Sequence, residues 1–234
     1  MEDKRKYHII IGSKGYFDMN LPEFTEDDVV DDFLELVKIS DTAKQNRLML
    51  DQHADILIIK NNSYHGIVEA AHDRLGPLIE ELTTDDAEIY IHNPPSVLKE
   101  YLENQKERSL IELDIVSEKY EIKRDSDVFV NKIKEISLHI FGQQTAIEEI
   151  SKSLWYLTTV KRSKPYVIML YGNSSLGKTE LVREIAEKFF GGKYLEKHLS
   201  MFKNNNYSEY FFGDAPNRRS LGYDLLERES NLIF

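Results

Sequence analysis

One segment has the residue types and the spacing that hold phosphate groups. Residues 172–179 fit the pattern G-x-x-x-x-G-K-[ST] at every fixed position. Glycines allow the backbone to bend so that successive N–H groups point at phosphate oxygens. We expect Lys178 to reach the β- and γ-phosphates and the Thr179 hydroxyl to coordinate Mg²⁺. The segment therefore predicts a site for ATP with Mg²⁺, with these cofactor-binding residues: Gly172, Asn173, Ser174, Ser175, Leu176, Gly177, Lys178 and Thr179.

The residues on both sides of this loop have the patterns that a phosphate loop needs. Residues 166–171 form a continuous apolar run, which is typical of a strand buried on both faces. Residues 179–190 repeat apolar side chains at helical spacing, and Gly191 and Gly192 end the pattern. The N-terminus of this predicted helix would add partial positive charge at the phosphates.

From Ile140 to Phe234 the chain resembles the Clp chaperone branch of the AAA-plus ATPases. Residues 140–143, Ile-Phe-Gly-Gln, together with Ala146 resemble the I-G-Q-x-x-A box of that branch. Residues 172–181 match its G-x-x-x-x-G-K-T-E-L pattern. Met201 and residues 212–216 resemble its M-S-E…I-G-A-P-P stretch.

The resemblance implies a fold, a cofactor and an activity. It implies an incomplete P-loop α/β core in which Ile140 and Phe141 line the adenine pocket. It also implies a parent protein that forms homo-oligomers and couples ATP hydrolysis to the remodelling of a protein partner.

Two departures from the family pattern change what we expect of this chain. Residues 217–220 stand where the family has a pore-loop aromatic, which puts polypeptide threading in doubt. The chain ends at Phe234, where the Walker B strand of the family would begin. Phosphoryl transfer needs the acidic and cationic groups that follow that strand. We therefore expect a truncated ATPase that binds nucleotide, has no catalytic residue within this chain and shows no turnover above background.

The N-terminal half has the alternating pattern of a separate α/β domain. Strands are predicted at residues 7–11, 55–60, 88–91 and 110–116, and helices at 25–39, 67–82 and 96–105. Thr25 and Asp28 resemble a capping box for the first of these helices. This order predicts a mainly parallel sheet in an accessory domain, residues 1–124, which senses or binds a partner. Residues 125–234 are predicted to form the N-terminal part of the ATPase domain.

Polar residues follow the strands of this first domain. They lie at residues 12–15, at residues 61–65 and at His92 and Asn93. The carboxyl ends of parallel strands meet at one sheet edge, where ligands usually bind. A ligand or partner site is one interpretation, and ordinary turn chemistry is the other. His65 and His72 would lie about 10 Å apart on a helix, too far to share one metal ion.

Composition bears on the partners of the protein and on its cellular compartment. The chain has 234 residues, 30 basic and 41 acidic, and a net charge of -11. A nucleic-acid partner is disfavoured, because it needs a basic face. The chain has no cysteine, which favours a reducing, cytoplasmic setting. No apolar run reaches the roughly 18 residues of a membrane span.

Three functions stay open on the sequence. The first is an ATP-binding fragment of a Clp-like remodelling ATPase. The second is an ATP-gated regulatory or assembly switch of the defence or signalling kind, with the N-terminal domain as sensor or effector. The missing pore aromatic favours this second reading. The third is an N-terminal partner-binding module. The identity of the protein partner is open in all three.

Overall fold

The computed structural model of the protein describes residues 4–48, 53–67, 69–119, 122, 124–160, 164–198, 210–211 and 220–234. The chain divides into two compact units. The first comprises Met1–Glu118 and Ser200–Glu227, and the second comprises Lys119–Leu199 and Arg228–Phe234. The first unit therefore takes in a segment that follows the phosphate loop in sequence.

A five-stranded sheet forms the centre of the first unit. All its pairings are parallel, in the order β2-β3-β4-β1-β5. The prediction of an α/β fold with a mainly parallel sheet is confirmed. The strands are β1 (Lys6–Ile11), β2 (Val30–Asp32), β3 (Ala54–Ile59), β4 (Thr83–His92) and β5 (Glu112–Ser117).

Strands and helices both contribute buried residues to the core of the first unit. Residues such as Ile9 in β1 and Ile89 in β4 are fully buried, as expected for central parallel strands. Two 3-10 turns, Asn61–Gly66 and Glu69–Arg74, follow β3. The helices of this unit are α1 (Lys14–Met19), α2 (Phe33–Gln45), α3 (Leu75–Leu82), α4 (Ser96–Glu107) and α8 (Leu221–Leu226).

The helix predicted over residues 25–39 begins later than its pattern indicates. Residues 30–32 pair with β3, and α2 starts at Phe33 with Asp32 as its N-cap, which accepts from Leu34 N–H at 3.0 Å. Thr25 does donate to Asp28, at 2.7 Å from its N–H, but this contact closes a turn before β2. Strand pairing is a non-local interaction, so it overrode the local helical spacing.

Three helices form the core of the second unit. They are α5 (Ser126–His139), α6 (Gln144–Thr159) and α7 (Lys178–Phe190). At the end of α7, Lys188 lies 2.7 Å from Glu135 of α5. This hydrogen bond and charge attraction lower the pKa of Glu135 and raise that of Lys188. The buried core residues are Phe129, Ile136, Ile140, Ile147, Ile150, Leu154, Leu181 and Ile185.

The strand predicted over residues 166–171 is not formed within the described part of the chain. Val167 is 84%, Met169 80% and Tyr171 90% exposed, whereas a strand of a P-loop core would be buried. A strand needs a hydrogen-bonded neighbour, and none pairs with this segment among the residues described. The described residues of the second unit contain one isolated parallel bridge, between Leu195 and Ile233.

The membrane expectation can be compared with the helices themselves. None of the helices in the described ranges combines the length and the apolar character needed to cross a bilayer.

The buried sheet core predicts a contrast between two leucines of the first unit. Leu102 on α4 is fully buried, and Leu110 is 57% exposed. Leu102→Ala should lower the free energy of unfolding by about 2–5 kcal/mol, because it leaves a cavity. The same change at Leu110 should cost less than about 0.5 kcal/mol. Urea unfolding followed by circular dichroism measures both, and equal losses would contradict this placement of the core.

Candidate functional site: the phosphate loop

The loop of residues 172–179 has backbone angles that few side chains allow. Gly172 has φ 144° and Gly177 φ 81°, and Ser175 lies between them at φ 64°. Gly177 is the left-handed N-cap of α7, and its carbonyl accepts the first helical bond, from Leu181 N–H at 2.9 Å. The loop therefore runs directly into a helix N-terminus whose first N–H groups have no partner within the helix.

Lys178 folds back across the loop. Its Nζ donates to the carbonyl of Gly172 at 3.0 Å and to that of Asn173 at 2.7 Å. The two carbonyls come from the start of the loop and the ammonium from its end, so these bonds close the loop on itself. The closed loop holds a cation next to the α7 N-terminus, where both charge and dipole favour an anion.

Residues 140–143, which resemble the I-G-Q-x-x-A box, contact the phosphate loop directly. Gln143 donates from Nε2 to the carbonyl of Leu176. Gly142, beside it, has φ 73°, and Gln143 itself is the N-cap residue of α6. Spacing in the sequence did not indicate this bond, because 33 positions separate its two residues.

The two residues assigned to the adenine pocket face different surroundings. The Ile140 side chain is 6% exposed and belongs to the helical core. Phe141 is 84% exposed, so its ring is accessible to a planar partner. Of these two residues, Phe141 is the better placed to meet a base.

Thr179 lies in the first turn of α7 and is partly buried. In the described ranges, no group of three or more acidic or histidine residues could hold a metal ion.

Several predicted positions lie outside the described residues. They are Met201, residues 212–216 and most of the segment that replaces the pore loop, residues 217–219. The side chain of His65 is also outside them, while His72 Nε2 lies 3.3 Å from the Tyr64 carbonyl.

Comparison of the chain with family models, with curated proteins and with solved structures found no match. Membership of the AAA-plus ATPases therefore stays a prediction from the motifs.

The left-handed backbone at Gly177 predicts a graded effect of substitution. Gly177→Ala should destabilise the second unit by about 1–2 kcal/mol, because a Cβ clashes in this conformation. Gly177→Asn should cost less, since asparagine tolerates left-handed angles better. Trp155, the single tryptophan, packs against Phe129 at 5.1 Å and reports unfolding of this unit by fluorescence. Two equally harmless substitutions would argue against this loop conformation.

Proposed function

We propose that residues 172–179 bind the phosphates of ATP with Mg²⁺. The observation that supports this most is the position of Lys178. Its ammonium is held by two loop carbonyls at the N-terminus of α7, a 13-residue helix. A triphosphate approaching this helix end meets a positive charge and unpaired N–H groups together.

Each part of the loop has a distinct role in this proposal. The backbone N–H groups between Gly172 and Gly177 surround phosphate oxygens, and Lys178 exchanges its carbonyl partners for the β- and γ-phosphates. The hydroxyl of Thr179 provides a ligand to Mg²⁺. The exposed ring of Phe141 stacks on adenine, and the Gln143 bond to Leu176 keeps the base-contacting and phosphate-contacting segments together.

The wider role rests on the motif resemblance. We infer a cytoplasmic, homo-oligomeric Clp-like ATPase as the parent, in which the nucleotide site drives the remodelling of a protein partner. In this proposal the first unit, with its own sheet and core, is the accessory part that receives or transmits the signal.

Nucleotide binding should depend on the charge at position 178. Lys178→Ala should raise the Kd for a fluorescent ATP analogue by roughly 10-fold to 100-fold, because charge-assisted bonds to phosphate are lost. Lys152→Ala is the matched control. It removes an equal charge from α6, where Lys152 pairs with Glu148 and Glu149. If both variants bind as tightly as the unmodified chain, the proposal fails.

The Thr179 hydroxyl should link the affinity for ATP to Mg²⁺. Thr179→Val keeps the shape of the side chain but removes the hydroxyl, so the gain in affinity on adding Mg²⁺ should shrink. Thr179→Ser should preserve it. Titration of the same analogue with Mg²⁺ and with EDTA measures both variants. A Thr179→Val chain with an unchanged Mg²⁺ effect would remove Thr179 from the metal site.

A further inference from the structure

The carboxyl ends of two adjacent strands, β1 and β4, mark a reversal of chain direction in the first unit. From β1 the chain continues to β2 on one side of the sheet, and from β4 it continues to β5 on the other. Ligands of open parallel sheets bind outside the strand ends at such a reversal. These strand ends belong to the first unit and the phosphate loop to the second.

Three buried residues at this place are tied to one another. Gly12 N–H donates to Asn93 Oδ1 at 3.0 Å, and Asn93 Nδ2 donates to the Gly12 carbonyl at 2.9 Å. His92 Nε2 lies 2.9 Å from the same carbonyl, and its ring stacks on Phe17 at 4.5 Å. The His92 ring is therefore fixed on two sides, and its Nδ1 edge is left to face another group.

That group is a carboxylate from a distant part of the chain. Glu227, directly after α8, accepts from Asn61 Nδ2 at 2.7 Å and lies 3.8 Å from His92 Nδ1. Asn61 is 5% and His92 2% exposed, so the Glu227 carboxylate accepts a hydrogen bond from one buried side chain and faces a second one from another strand end. Burial of polar groups is tolerated only where they are paired.

Charged groups of other elements lie around this part of the sheet edge. Lys14 on α1 donates a hydrogen bond to Asp18, which is the main cause that raises the pKa of Lys14, and the charge of Glu227 raises it to a smaller extent. The nearby acid Glu118, at the end of β5, accepts from Ser13 N–H at 2.7 Å and so serves the β1 turn. The described groups facing the Glu227 carboxylate are therefore an amide donor, an imidazole and a lysine charge.

We propose that Asn61 and His92 form a carboxylate-binding site, which Glu227 fills from within the chain. In this arrangement α8 is an autoinhibitory cap. A small molecule bearing a carboxylate displaces Glu227, takes its hydrogen bond from Asn61 and releases α8 from the sheet edge. Asn93 Nδ2 also lies 3.5 Å from the Leu226 carbonyl, at the end of α8. That distance is long for a hydrogen bond, whereas the Asn61–Glu227 distance of 2.7 Å is that of a strong one.

Chemical rescue with acetate tests the site. Glu227→Ala removes the internal carboxylate and leaves its two partners in place. Acetate added to this variant should shift the His92 ring signals in a saturable manner by NMR, with sodium chloride at equal ionic strength as the control. The Asn61→Ala/Glu227→Ala chain should lose this saturation. Absence of a saturable shift in Glu227→Ala, or an identical shift with chloride, overturns the proposal.

Hydrogen exchange tests the cap. Amide exchange of residues 221–226 should be at least about tenfold faster in Glu227→Ala, because a hydrogen bond to a charged group is lost. Glu227→Gln, which keeps the volume of the side chain, should also exchange faster. Glu229→Ala removes a carboxylate two residues away that pairs with Lys193, and should leave exchange unchanged. Unchanged exchange in both Glu227 variants would show that this carboxylate does not hold α8.

Discussion

In-register parallel pairing of β1 with β4 is the interaction on which the first unit depends. Ile9 lies opposite Ile91, and Ile10 lies opposite His92. Because the strands end side by side, the turn at Gly12 meets Asn93 and the two exchange hydrogen bonds. A shift of one residue would turn the buried side chains to the other face. The same register that buries the isoleucines therefore also places His92 where Glu227 can reach it.

The phosphate loop of the second unit is positioned differently, because no strand pairs with the segment before it among the described residues. Glycine angles and the start of α7 shape the loop locally. Two side chains then fix it, Lys178 by closing onto loop carbonyls and Gln143 by reaching Leu176 from the preceding helix pair. The conformation of this loop is thus set by short-range geometry and by helix packing.

The sequence predicted the features that depend on local interactions and missed those that depend on contacts between residues far apart in the chain. The bent backbone at Gly172 and Gly177 was predictable, because a loop motif is local, and so was the parallel sheet, because its strands carry their own apolar pattern. The predicted start of α2 was wrong, because residues 30–32 form a strand, β2, only by pairing with β3. Nothing near Glu227 in sequence indicates a partner, because Asn61 lies 166 positions away. Contacts of that range depend on the folded topology.

The apolar run before the phosphate loop, residues 166–171, has both a local pattern and a dependence on long-range packing. Val167, Met169 and Tyr171 are 80–90% exposed, while Leu170 between two of them packs against the helical core. This alternation is that of a strand with one face covered. Burying an apolar side chain of this size is worth about 1.5–3 kcal/mol. Any strand that paired here would also fix the chain at Gly172, whose carbonyl holds Lys178. Covering this face and binding nucleotide would then stabilise each other by linkage.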